Sequence, residues 1–328
     1  MLLANNAQGQ LVLANGFQKK NGEKCFCPGC QGEVIFKCGP QKIPHFAHRS
    51  MQECQHFSEG ETAEHLLGKH LLQQALPEDT QLEAYLPELA QRPDLLWRRL
   101  AVEFQCSTLS RTRFAERTSN YLAHGYTPWW LVGQQFFPQK HWRQVTSCCL
   151  QEAPFGLVLW GVEVAKRKLV LFHSFDWHYQ KGLLFETSSQ TLQGQLFGEI
   201  LSLAKVASKP CSWSVSDYQL RIQEKLNRKE KGVLLLQAQS YLHGVNLGAL
   251  PSWGYAPGCH QALLQEGLLV LRGLYLAGFR EFDCWYERGC QILDWPYFLV
   301  NRRRIYQEIF AECVLLTERF GSEETRKF

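Results

Sequence analysis

The stretch from Asp94 to Cys106, DLLWRRLAVEFQC, constrains the fold more than any other. Two short apolar runs flank Arg98-Arg99 with no room for a helix between them. That pattern predicts paired strands over 94–97 and 100–106, joined by a tight turn. Strand side chains alternate between faces. Val102, Phe104 and Cys106 therefore share an apolar face, and Ala101, Glu103 and Gln105 share the other. A turn centred between Arg98 and Arg99 sets Trp97 opposite Leu100 and Asp94 opposite Glu103. Carboxylates directly opposed across a strand pair have Cβ atoms about 4.5–5.5 Å apart and repel. A divalent cation with oxygen ligands removes that conflict, and it can also bind a phosphate and activate water. The plainer alternative is a surface hairpin whose acids are solvated or paired with Arg92 or Arg98.

The elements around this hairpin predict an α/β layer domain over 57–150. Ser58 and Glu61 have the spacing of a capping box. Leu67, Leu71 and Ala75 then form a helical stripe that ends before Pro77. Residues 81–86 read as a strand. Residues 110–124 read as a second helix with Gly125 as its stop, and PWWLV at 128–132 as a buried strand. Glu61 and Glu64, on the first helix, could each add a carboxylate to a metal. As helix N-terminal acids they also need no other explanation than the macrodipole.

Residues 1–56 are rich in Cys and His and poor in large apolar side chains, so this segment is expected to need a staple. Cys27-Pro28-Gly29-Cys30 and His45-Phe46-Ala47-His48 supply four ligands for a structural Zn²⁺. The His pair is one residue tighter than the usual finger spacing, and Cys25, Cys38 and Cys54 are alternative ligands. Phe46 would pack behind the site.

Residues 151–328 predict a hairpin (156–164 and 168–172) followed by helices over 217–231, 260–279 and 301–320, a mixed, mainly α region of unassigned role. Arg113, Arg117 and Tyr121 share one face of the second helix, where the arginines could clamp phosphate. Lys225–Lys231 and Arg302–Arg304 could track a nucleic-acid backbone, although helical charge runs more often serve solubility. The net charge of +4 permits a nucleic-acid partner without requiring one. No apolar run approaches the roughly 20 residues of a membrane span. Thirteen cysteines without a signal-peptide pattern read as thiols or metal ligands, which makes cytoplasm the expected compartment.

Taken in order, CPGC at 27–30, HFAH at 45–48, SEGETAEHLLGKHLL at 58–72, RPDLLW at 92–97, AVEFQCS at 101–107 and Arg117…Tyr121…Trp129-Trp130 resemble the CoiA family of competence proteins. The resemblance covers about the first 150 residues. It implies a restriction-endonuclease-like, PD-(D/E)xK core at 57–150 behind a zinc-finger-like segment at 1–56. It also implies a cytoplasmic role in natural transformation, with single-stranded or branched DNA and recombination proteins as partners. On that reading Asp94 and Glu103 hold Mg²⁺ or Mn²⁺, Glu64 is an accessory acid, and Gln105 stands where such sites usually carry Lys. Gln105 can orient water or a phosphate oxygen but supplies no positive charge. The expected activity is phosphodiester hydrolysis. The alternatives are a non-catalytic DNA-binding or recombinase-loading protein on a degenerate nuclease fold, and a zinc-stabilised interaction module.

Overall fold

The computed structural model describes residues 1–18, 23–28, 30–40, 42–48, 62–193 and 211–324. Ser58, Glu61 and Cys54 lie outside them. The described residues fall into two compact units. One is drawn from Met1–Pro138, Arg143–His173 and Thr187–Lys205, the other from Gln139–Trp142, Ser174–Glu186 and Val206–Phe328.

The first unit opens with a five-stranded antiparallel sheet: β1 (Leu3–Asn5), β2 (Leu11–Leu13), β3 (Cys25–Phe26), β4 (Glu33–Gly39) and β5 (Lys42–His48), in the order β2-β1-β3-β4-β5. It carries a small core of its own. Ala4, Ala14, Cys25, Val34 and Phe46 are buried, and the Phe17, Phe36 and Phe46 rings meet at 5.1–5.5 Å. Aromatic packing thus supplies some of the cohesion that the sequence left to a metal.

Next come α1 (Ala63–Ala75), β6 (Gln81–Leu82), β7 (Leu95–Trp97), β8 (Leu100–Gln105), α2 (Arg111–Ala123), β9 (Thr127–Gly133), α3 (Gln144–Cys149), β10 (Gln151–Ala153), β11 (Gly156–Glu163), β12 (Lys168–His178) and β13 (Gly182–Thr191). They build an eight-stranded mixed sheet in the order β13-β12-β11-β9-β8-β7-β6, with β10 added beside β11. The pairs β8–β9 and β9–β11 are parallel. The β11–β12 hairpin carries this sheet past residue 150. Trp97 pairs with Leu100 and Leu95 with Val102, as a turn centred on Arg98-Arg99 requires. Arg98 takes φ +53, which bends the chain there without glycine.

Alternation along β8 assigns the two faces. Val102 and Phe104 join Leu66, Leu71 and Leu72 of α1 in the main core. Ala101 packs with Leu96 and Tyr121 on the α2 side. Helix α1 starts at an N-cap by Thr62, whose side chain accepts from His65 N–H. Leu71 and Ala75 of the expected stripe turn inward, but Leu67 is exposed and Leu66, Gly68 and Leu72 complete the buried face. Gly68 sets the separation, because a Cβ there would lie 2.0 Å from the Phe104 ring. The expected strand over 81–86 stops at Leu82, since Glu83 takes φ +49 and turns its side chain into the protein. Helix α2 begins at Ser110, which caps Arg113 N–H, and ends before Gly125 at φ +75.

The second unit is mostly helical: α4 (Val215–Asn227), α5 (Lys231–Tyr241), α6 (Gln261–Leu264), α7 (Gly267–Leu276), α8 (Phe282–Ile292) and α9 (Arg302–Glu324). The single helices expected over 217–231 and 260–279 are each interrupted, at Lys229 (φ +55) and Gln265 (φ +52). Helix α7 is buried from Gly267 to Tyr275. Its one charged member, Arg272, is held by the carbonyls of Gly254 and Ala256 at 3.1 and 2.6 Å and by Glu312 at 2.9 Å, with its Nε left unpartnered among the described residues. No helix among the described residues is long and apolar enough to cross a membrane.

Candidate functional site

Asp94 sits immediately before β7, and its carboxylate turns toward α1. Its Oδ2 accepts Phe104 N–H at 2.8 Å and His65 Nε2 at 3.0 Å, while Lys69 Nζ lies 3.7 Å from Oδ1. His65 and Lys69 are one turn apart on α1, so both reach the same carboxylate. Burial alone would raise the Asp94 pKa. The charges of His65 and Lys69, with the two hydrogen bonds, outweigh it and hold the carboxyl well below the usual range.

Glu103 is 3% exposed and is engaged from the α2 side. Arg117 Nη2 and the Tyr121 hydroxyl both donate to Oε1, the latter at 2.5 Å. Burial pushes the Glu103 carboxyl up to about 7, against Arg117 and with help from the nearby Asp94 charge. The two carboxylates thus titrate far apart, which is the signature of neighbouring acids in a functional site or a dense ion-pair network.

The like-charge conflict inferred from the hairpin is therefore eased by the chain's own cations, two beside Asp94 and one beside Glu103. The sequence reading missed His65, Lys69 and Glu83, and it offered Arg92 to the hairpin acids where the structure pairs it with Glu83. Lys69 and Glu83 are fully buried and paired with each other, and Arg92 Nη1 reaches Glu83 Oε2 at 3.2 Å. Glu83 also accepts Leu2 N–H at 3.1 Å and Leu3 N–H at 3.3 Å, tying β1 to the large sheet. One signal was available: a Lys between the buried Leu66 and Leu72 on a short amphipathic helix needs a buried acid.

The remaining candidates divide. Glu64 Oε1 accepts Gln134 N–H at 3.0 Å, near Gly133 and Cys106 on the α1 side of the sheet. Gln105 donates Nε2 to the Ser107 carbonyl at 2.7 Å, which leaves its amide oxygen as the end that can face a ligand. Arg117 is committed to Glu103 and to the Arg92 carbonyl at 3.4 Å. Arg113 points away to Glu116 at 3.5 Å on the surface. The two arginines therefore do not form a joint clamp.

Asp94, Glu103 and Gln105 offer oxygen donors of the kind hard divalent cations prefer. Hydrogen bonds converge on Asp94 Oδ2 and Glu103 Oε1, while Asp94 Oδ1 faces Lys69 at 3.7 Å. In the metal-free protein Glu103 binds its proton more tightly folded than unfolded. Its contribution to stability is full below its ordinary value of 4.5 and is lost as pH rises through about 7. Across that interval the urea midpoint of the chelated protein is expected to fall relative to Glu103→Gln, whose amide does not titrate. Parallel profiles for the two proteins would remove the assignment.

A separate cluster lies in the N-terminal sheet. Ligand atoms of Cys27, Cys30 and His48 lie within 4.8 Å of one another, and Cys30 Sγ is 3.4 Å from His48 Nε2. Gln31 N–H to Cys27 O (2.9 Å) and Cys27 N–H to Gly32 O (2.8 Å) fold the knuckle. His45 is not in the group and donates Nδ1 to the Ile43 carbonyl at 2.8 Å. The reason is parity: HFAH lies on strand β5, where residues three apart face opposite sides. Cys25 is buried in the module core and Cys38 is exposed. Two thiolates and an imidazole suit Zn²⁺, which takes four ligands. Purified protein is expected to carry about one zinc, and Cys27→Ser or chelation is expected to lower the melting temperature. Metal analysis showing no zinc, with melting unchanged by chelator, would exclude this.

Two family models match the chain. "Competence protein CoiA, N-terminal domain" matches residues 14–57 and "Competence protein CoiA, nuclease-like domain" matches 61–204. The chain is also similar to the protein named competence protein CoiA from Bacillus subtilis (strain 168), with 40% identity over 133 residues. That match covers 38% of this chain and 35% of the relative, so it spans only about a third of the relative's length. No solved structure matches the chain.

Proposed function

Because the chain belongs to the CoiA competence-protein family, we propose that it is a metal-dependent deoxyribonuclease acting on incoming or recombining DNA during natural transformation. The observation that carries this reading is the mutual electrostatic influence of Asp94, just before β7, and Glu103 on β8, one carboxyl held low and the other raised. Asp94 and Glu103 would hold Mg²⁺ or Mn²⁺, with Glu64 as accessory acid and Gln105 positioning a water. A cation held there supplies a water of lowered pKa and charge for the phosphate.

The chain's own residues have definable tasks. Phe104 N–H and His65 fix the Asp94 carboxylate. Arg117 and Tyr121 fix Glu103. Gln105, anchored through Nε2, can accept a hydrogen bond from a water and orient it toward phosphorus. Lys69 adds positive charge near Asp94, the charge that Gln105 cannot give. The substrate would be single-stranded or branched DNA, and recombination proteins would be further partners.

A second reading is a non-catalytic DNA-binding protein on the same scaffold. It is favoured by the protein cations already engaging both carboxylates and by Gln105 itself. The deciding experiment measures cleavage of single-stranded, duplex and branched DNA with Mg²⁺ or Mn²⁺ by wild type and Asp94→Ala. Metal-dependent cleavage by wild type alone supports the enzyme. DNA binding without cleavage under either metal supports the second reading.

A further inference from the structure

The second unit contains a pocket of about 100 Å³, walled by Trp177 and Tyr179 and rimmed by Lys140, His141, Lys181 and Lys225. Its construction is specific. The turn between β12 and β13 carries Tyr179 and Lys181. Gly182, at φ +82, lets the segment at 139–142 come so close that a Cβ there would lie 2.4 Å from the Lys140 carbonyl. Leu183 N–H donates to that same carbonyl at 2.8 Å. Lys140 is thereby pinned beside the turn that carries Lys181.

The aromatic wall is rigid. Trp177 is 3% exposed, with ring centroids of Trp213 and Tyr218 at 6.0 and 5.8 Å. Tyr179 stacks on His178 at 4.9 Å and meets Tyr218 at 5.1 Å, yet it remains half-buried at the pocket.

Positive charge predominates among the lining side chains, with Asp217 of α4 also acting on Tyr179. The pocket's single lining carboxylate, Glu266, is taken by Lys225 at 2.7 Å. The neighbouring Asp176 spends its oxygens on the N–H groups of Trp177 and Cys211, at 2.7 and 2.6 Å. Lys140 and Lys181 make no ion pair among the described residues. Two available cations therefore flank a flat aromatic surface.

The complementary ligand has a flat ring with anionic groups on either side. The pocket is smaller than the roughly 300–1,000 Å³ of cavities that enclose whole small molecules. It has room for a ring and not for a complete cofactor, so the rest of the ligand must run along the surface. We infer that this pocket receives one base of a single DNA strand against Tyr179, with adjacent phosphates on Lys140 and Lys181. A duplex cannot use it, because paired bases do not leave the stack without cost. The site is separate from the Asp94 carboxylate. Only the choice of DNA over RNA rests on the function proposed above.

The test uses the full chain in EDTA, so that binding is read without cleavage. Fluorescence anisotropy follows an oligothymidylate, the same strand as RNA, and a duplex, across a salt series. Lys140→Glu/Lys181→Glu is expected to weaken the DNA strand by tenfold or more. It should also flatten the plot of log affinity against log salt by about 1.4, two phosphate contacts at about 0.7 each. Tyr179→Ala is expected to weaken the strand by about 5- to 150-fold at every salt concentration, with the slope unchanged. Thermal melting verifies that each variant is folded. Wild-type affinity and slope in both variants overturn the inference. Equal losses on strand and duplex overturn the base-in-pocket geometry, and a loss confined to RNA overturns the choice of DNA. If the lysine variant loses binding while wild type never cleaves, the pocket stands and the nuclease reading fails. If Asp94→Asn loses cleavage while the lysine variant binds normally, the reverse holds.

Discussion

Asp94→Asn is expected to lower metal-dependent DNA cleavage by on the order of 10²–10³-fold while leaving DNA affinity in EDTA nearly unchanged. The substitution keeps the shape and an oxygen that can accept Phe104 N–H, so it removes charge more than geometry. What disappears is an anion held ionised far below the usual carboxylate range by His65 and Lys69. That anion is the part of the site able to bind a hard cation at any working pH. Glu103→Gln removes its partner and should cost a similar factor. Asp94 also stabilises the fold above its ordinary pKa, a contribution lost only as pH falls toward the depressed value. Some loss of stability is therefore expected in Asp94→Asn, and cleavage must be compared below both melting transitions. Undiminished cleavage by the folded variant would move the chemistry away from β7–β8.

Glu83→Ala is expected to destabilise the first unit by about 3–5 kcal/mol. Lys69 and Arg92 both direct charge at this carboxylate, and Lys69 is fully buried. Removing the acid leaves an ammonium in the core without its closest counter-charge, with Asp94 3.7 Å away. It also strands the amides of Leu2 and Leu3. Glu83→Gln keeps acceptors for those amides and should recover part of the loss, which separates the hydrogen-bonding contribution from the charge. Urea unfolding of the three proteins measures this. A shift below about 1 kcal/mol in Glu83→Ala, the range of exposed pairs, would mean that water reaches Lys69 and that the network is not buried in solution.

The sequence carried the hairpin and its register because these depend on a local rule. Two apolar runs around Arg98-Arg99 have one sensible pairing, and strand alternation then fixes Glu103 and Phe104 on opposite faces. It carried α2 for the same reason, with Ser110 and Gly125 as its ends. It did not carry the interior of the charge network. Whether Lys69 points to solvent or to Glu83 depends on which side of α1 is covered, and of the expected stripe Leu71 and Ala75 are buried while Leu67 is exposed. Glu83 was read as an ordinary strand position because nothing local announces φ +49. The two histidines of HFAH looked alike as metal ligands until the segment was known to be a strand, where three-residue spacing separates them. Breaks in the C-terminal helices fall at Lys229 and Gln265, residues with no breaker character, so tertiary packing decided them.

Lys69 is the hinge of an electrical circuit that the linear order of segments conceals. Its ammonium answers Glu83, which grips the first strand of the chain, and it also faces Asp94. The N-terminal sheet is consequently no detachable cassette. Any event that pulls β1 from Glu83, whether truncation, metal loss or a partner's tug, changes how one lysine divides its charge between two acids. The Asp94 carboxylate would register that change without moving. An uncharged residue at position 69 would leave both acids without this ammonium, so removing the charge there calls for a change at Glu83 as well.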